Sequence, residues 1–194
     1  MASGGGWEHT YVMAAHVIPG EERFVPLEEY LHTTYEPDAE WVDGELKERA
    51  VGEGSHAYVQ TFFIKYFLLR ETELAVRVTQ ELRTQVSPQN YRVPDVVVMR
   101  SSDPYEEIVR TPPLLCIEVL SPTDSMSEMH EKIEDYLRMG ILAVWVVDPR
   151  RRSGLIADRQ GTRRTEVLEV PGTVIRVTLS EVFAELDRLE GKAN

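Results

Sequence analysis

The segment from Leu114 to Val147 most limits the folds open to this chain of 194 residues. Leu114-Leu115-Cys116-Ile117 and Val119-Leu120 are apolar on both alternating faces, the pattern of a strand covered on each side. Met126, Met129, Ile133, Tyr136 and Leu137 then recur at helical spacing, and Gly140 is placed to end that helix. Ile141 to Val147 is a second apolar run, closed by Asp148-Pro149. Strand, helix and buried strand in this order make a right-handed crossover with parallel strands. That predicts an α/β fold, a mixed central β-sheet flanked by helices.

The remaining segments fit around this unit. Pro26 suits a helix start, with Leu27, Tyr30 and Leu31 at helical spacing and a fade near Thr33-Thr34. Asp43-Gly44 is a two-residue turn signal, so Ala39 to Val42 and Glu45 to Ala50 are expected to pair. Ser55 is expected to cap a buried helix from about His56 to Arg70, on the stripe Val59, Phe63 and Phe67. Leu74 to Val78 and Leu82 to Val86 read as strands, and Ser87 to Asn90 as a turn into the strand holding Asp95. Leu155 to Ala157 and Thr165 to Val170 are expected to form a peripheral hairpin around Gln160-Gly161, and Val182, Phe183 and Leu186 a closing helix.

This length suits one core, so a single domain over residues 25–190 is expected after a variable or flexible segment, 1–24. Hydrophobic content of 42% and charged content of 28% exclude a fibrous or disordered chain. The apolar runs are too short to span a bilayer, so no membrane partner is expected. Met1 to Gly6 lacks the basic and apolar regions of a signal peptide, which predicts a cytoplasmic location. The single cysteine, Cys116, sits between Leu115 and Ile117, which predicts a buried thiol and excludes an internal disulfide framework.

Two acids break the apolar pattern: Asp95 within Val93 to Met99, and Glu118 within Leu114 to Leu120. An ionised carboxylate removed from water costs several kcal/mol unless a cation or hydrogen bonds offset it. A shared divalent metal would serve both, and two hard oxygen donors suit Mg2+ or Mn2+. Lys132 borders the helix face packed on the sheet, from which its ammonium can swing into the same site. Other readings stay open: Asp95 as a cap at a strand entrance, Glu118 in a structural ion pair with Lys132, and Lys132 as a solvated residue lying over apolar neighbours.

Several motifs together resemble the Uma-two family of restriction-endonuclease-like proteins, within the PD-(D/E)XK nuclease superfamily. They are Arg92 to Val98, Ile117 to Pro122, Glu131 to Tyr136, Gly140-Ile141 and Trp145 to Pro149, with Ala39 to Glu45 and His56. The resemblance implies a restriction-endonuclease-like core in which Asp95 and Glu118, with the Val119 carbonyl, hold a divalent metal. It implies catalytic roles for Asp95, Glu118, Lys132 and the additional acid Glu40, with His56 and Tyr136 as substrate or site support. Leu120 occupies the lysine position of the superfamily's acid-any-lysine triplet, and the family supplies its lysine from the following helix, here Lys132. Glu128 stands where the family is expected to have aspartate.

The implied activity is hydrolysis of DNA phosphodiesters by metal-activated water, with a homodimer expected for cutting two strands. The net charge of -12 counts against a large nonspecific nucleic-acid surface. It leaves room for a non-catalytic protein-interaction module of the same fold, or a hydrolase of small phosphorylated molecules. Arg150, Arg151, Arg152, Arg159, Arg163 and Arg164 nevertheless cluster late in the chain, where they can form a local basic surface.

Overall fold

The computed structural model describes residues 15–16, 23–36, 38–49 and 52–192. The expectations for the rest of the 1–24 segment, apart from 15–16 and 23–24, lie outside the described residues. Short strands β1 (Ala15–His16) and β2 (Arg23–Phe24) precede helix α1 (Leu27–His32) and strand β3 (Tyr35–Glu36). The predicted hairpin follows as β4 (Ala39–Val42) and β5 (Glu45–Glu48), its turn made by Asp43 at φ 51 and Gly44 at φ 93. Helices α2 (Gly54–Leu68) and α3 (Glu71–Leu74) lead to β6 (Val76–Gln80), β7 (Thr84–Ser87), β8 (Asn90–Arg92) and β9 (Val96–Arg100). The crossover is β10 (Leu115–Val119), α4 (Met126–Met139) and β11 (Ala143–Asp148). Strands β12 (Ser153–Asp158), β13 (Gly161–Thr165), β14 (Val167–Glu169) and β15 (Arg176–Thr178) precede α5 (Leu179–Leu189).

The main sheet has the order β13-β12-β11-β10-β9-β6. Strand β10 is central in it, parallel to β11 and antiparallel to β9. Residues alternate across it as the two-sided apolar pattern requires. Leu115, Ile117, Val119, Trp145 and Val147 join Val59, Phe63 and Phe67 of α2 and Val182, Phe183 and Leu186 of α5. Cys116, Val144 and Val146 meet Met129, Ile133 and Tyr136 of α4 on the other face. A smaller sheet, β2-β5-β4-β8-β7, carries a separate aromatic cluster of Tyr30, Tyr35, Trp41 and Tyr91.

Helix α4 ends where its sequence implies. Ser125 accepts the Glu128 N–H at its start, and Gly140 ends it at φ 107, where a side chain is strained. Gly140→Ala is therefore expected to lower stability by about 1–2 kcal/mol, readable as a reduced urea midpoint with unchanged slope.

Four expectations need correction. Ser55 does not cap α2; Glu53 precedes its first turn, without a side-chain cap bond. Leu74 ends α3 rather than opening a strand, because Ala75 adopts a left-handed conformation that closes this helical turn. Val167 to Glu169 pairs with β15 instead of extending the β12–β13 hairpin. Asp95 lies ahead of β9 rather than within it, since Pro94 has no N–H to give to the ladder.

Candidate active site

The polar loop ends at one edge of the main sheet leave a cleft bounded by the small sheet and the start of α4. Three carboxylates that would ordinarily stay in water line it: Glu40, Asp95 and Glu118 are 2%, 4% and 3% exposed. Glu40 comes from β4, and Asp95 and Glu118 from neighbouring stretches of the main sheet. Val96 faces Ile117 in the antiparallel register, so one further step sets Asp95 opposite Glu118.

Asp95 is held on both oxygens. Its Oδ2 accepts the Val119 N–H at 2.7 Å and lies 3.2 Å from His56 Nε2, while Oδ1 accepts from Arg49 Nη2 at 2.6 Å. Burial pushes this carboxyl up, but His56, Arg49 and the Val119 N–H outweigh it and hold the group below the usual carboxylate range. His56 is lifted in return: burial favours its neutral form, and Asp95 more than offsets that.

Glu118 is held differently. Tyr136 donates its hydroxyl to Oε1 at 2.5 Å, whereas Oε2 has Lys132 Nζ at 3.8 Å, beyond hydrogen-bond reach. Burial drives the Glu118 pKa up to about 7; Asp95 and Glu40 add to the rise, and Lys132 and Tyr136 only partly oppose it. Asp95 and Glu118 therefore differ sharply in readiness to ionise.

Lys132 does turn inward. Its Nζ lies 2.9 Å from Glu40 Oε1, and Glu40 also accepts the Val93 N–H at 3.1 Å and Arg92 Nη1 at 3.0 Å. Burial raises the Glu40 carboxyl, but Lys132, Arg92 and Val93 bring it below its ordinary value. Burial would likewise favour neutral Lys132, yet Glu118 and Glu40 hold it charged. Arg92 continues the chain to Asp135 of α4, 2.7 Å from its Nη2. Charges thus alternate through Asp135, Arg92, Glu40, Lys132 and Glu118.

The site also draws on Arg49, Arg92 and Asp135, to which the sequence pattern assigns no role. Asp135 had a readable signal, lying one turn beyond Lys132 and beside Tyr136, whereas Arg49 occupies a strand end with no pattern to mark it. Glu128, at the position where aspartate was expected, accepts the Ser125 hydroxyl at 2.7 Å and closes the start of α4. Cys116 is buried with its thiol pushed well above the usual value by burial and Glu118, unsuited to nucleophilic attack.

Residues 27–188 match the family described as "Uma2: Putative restriction endonuclease". None of the curated proteins matches the chain. Among solved structures, a putative nuclease belonging to DUF820 from Anabaena variabilis is 23% identical, with a TM-score of 0.74 over 84% of this chain and 99% of that one. That likeness is one of fold, a nuclease-type mixed sheet flanked by helices. A DrdV–DNA complex is 15% identical, with a TM-score of 0.37 over 66% of this chain and 10% of that one, too distant to support an argument.

Proposed function

Because the chain belongs to the Uma2 family of putative restriction endonucleases, we propose that it is a divalent-metal-dependent DNA endonuclease that hydrolyses phosphodiester bonds. The observation that carries this reading is the meeting of Asp95, Glu118 and the inward-turned Lys132 in one cleft. Among the described residues no group of three or more His, Cys, Asp or Glu is placed to hold a metal ion. Asp95 and Glu118, with the Val119 carbonyl and waters, are the donors we assign to Mg2+ or Mn2+. Their chemistry fits a hard cation: the Glu118 pKa of about 7 marks negative charge that the resident cations do not fully offset, and its Oε2 lacks a hydrogen-bond donor. Such an ion would compete with Arg49 for Asp95 Oδ1.

When bound, the ion supplies a lowered pKa for water and positive charge against the phosphodiester oxygens. The chain's own residues do the rest. Lys132, fixed by Glu40, presents a charged ammonium toward Glu118, where negative charge develops on the phosphate in the transition state. Tyr136 fixes the rotamer of Glu118, and His56 and the Val119 N–H fix that of Asp95. A cytoplasmic location and a homodimeric active form belong to the same proposal.

Supercoiled plasmid incubated with the chain and Mg2+ is expected to become nicked and linear, with no conversion in EDTA or with a folded Asp95→Ala chain. One observation favours a second reading, a non-catalytic interaction module: Arg49 and His56 already neutralise Asp95, in a chain of net charge -12. A folded chain that leaves plasmid and oligonucleotides intact in both Mg2+ and Mn2+ overturns the nuclease proposal in favour of that module.

A further inference from the structure

The late arginines of the sequence separate into two groups. Arg152 binds Asp187 and Glu190, each at 2.8 Å, and Arg163 binds Asp158 at 2.8 Å. These are structural pairs. Arg151 has only Asp148 at 3.7 Å, too far for a hydrogen bond, and its side chain is 72% exposed. Arg164 is exposed and has no ion-pair partner among the described residues.

Sheet register puts Arg164 on the side of the candidate site. Glu118 faces Val146, Val146 faces Leu155, and Leu155 faces Arg164, so these four side chains share the α4 face in one row across β10 to β13. Three strand spacings separate the ends of this row, about 14 Å. Beside this row lies a small depression whose apolar floor residues Leu120, Met126, Val146 and Leu155 are joined in its lining by Ser153, the carboxylate Asp148 and the two arginines Arg151 and Arg164. Arg150, next to Arg151 in the chain, donates to the carbonyl of Ser121, a cleft residue, at 3.4 Å. Asp148 aims the approach: its Oδ1 accepts the backbone N–H groups of Arg150 and Arg151 at 2.9 and 3.0 Å, fixing the turn that presents them.

We propose that Arg151 and Arg164 form a track for the phosphodiester backbone of DNA leaving the cleft, a proposal that rests on the nuclease reading for its substrate. A DNA strand places one phosphate per about 3.4 Å of helix axis, so about four phosphates span the distance from Glu118 to Arg164. Guanidinium groups suit phosphate oxygens, and the apolar floor suits the sugar edge. The track also answers the objection from overall acidity, because it places two exposed guanidinium groups along one line beside the cleft.

Arg159 provides the internal control. It is exposed in the turn at the far end of the β12–β13 hairpin, where Asp158 faces Gly161, while Arg164 lies near the cleft end. Anisotropy of a labelled 30-base-pair duplex, titrated with the full chain in Ca2+ at a series of salt concentrations, reads the track. Arg164→Ala is expected to lower the slope of log affinity against log salt by about 1, and Arg151→Ala with Arg164→Ala by about 2, with about tenfold weaker binding at 0.1 M salt. Arg159→Ala is expected to match the unsubstituted chain. Equal losses for Arg159→Ala and Arg164→Ala, an unchanged double variant, or no duplex binding at 50 mM salt each overturn the track. Mg2+-dependent cleavage of the same duplex is scored separately. Cleavage without arginine-dependent binding leaves the nuclease reading standing and removes the track, and arginine-dependent binding without cleavage does the reverse.

Discussion

Lys132→Met is expected to lower the DNA cleavage rate by about 10²–10³-fold and stability at pH 8 by about 3 kcal/mol. Both losses have one cause. Lys132 is the cation shared by Glu40 at 2.9 Å and Glu118 at 3.8 Å, and neither acid is more than 3% exposed. Methionine preserves the apolar stem but leaves two buried carboxylates without their shared cation, with Arg92 and the Val93 N–H still offsetting Glu40. Urea unfolding at pH 8 and pH 5 distinguishes charge from packing. Lys132 helps hold the Glu118 pKa down to about 7, so without it the group titrates higher still; at pH 5 Glu118 is protonated in both chains and much of the stability should return. Equal losses at the two pH values would assign the defect to lost packing and remove Lys132 from the electrostatic core of the site.

Glu118→Gln is expected to abolish cleavage while stabilising the metal-free chain at pH 8 by on the order of 3 kcal/mol. The sign follows from the raised pKa. Between an ordinary 4.5 and about 7, the unfolded chain has released the Glu118 proton and the folded chain retains it. Folding therefore weakens as pH rises through this window and levels off above it. Glutamine keeps the shape and has no proton to lose. His56, lifted by Asp95, adds a loss of the same sign above pH 6.5, and Asp95, held low, contributes stability that disappears only at strongly acid pH. The difference between the unsubstituted and Glu118→Gln curves isolates Glu118. Added Mg2+ should raise the unfolding temperature of the unsubstituted chain at pH 8 and leave Glu118→Gln nearly unmoved. Parallel pH curves for the two chains would show that Glu118 ionises normally in the fold.

The elements legible in the sequence are those whose pattern comes from burial on one or two faces. The crossover from Leu115 to Asp148, with Gly140 ending its helix, follows from apolar spacing and turn chemistry alone. So does the Asp43-Gly44 hairpin. The Ser125 cap at the start of the crossover helix became visible only in the fold. The acids Asp95 and Glu118 stood out because they interrupt apolar runs. Arg49, the counter-charge of Asp95, and Arg92, that of Glu40, did not, since they look like ordinary surface residues until distant strands cover them. The shift of Asp95 out of its expected strand is a local effect of Pro94, offset by the side chain accepting a main-chain N–H from β10. The split among the late arginines was illegible because Arg163 and Arg164 differ only in which face of β13 each occupies.

The hairpin β4–β5 supplies both Glu40, the anion of Lys132, and Arg49, the cation of Asp95. Glu40 faces Lys47, and the Arg49 N–H bonds the Asp38 carbonyl, so Glu40 and Arg49 share one side of the ribbon. A slip of one residue in this pairing would turn every side chain on one strand to the opposite side. Insertions or deletions within these strands would thus disturb both electrostatic partners together. A two-residue turn sets the side on which the ion partners of Lys132 and Asp95 both lie.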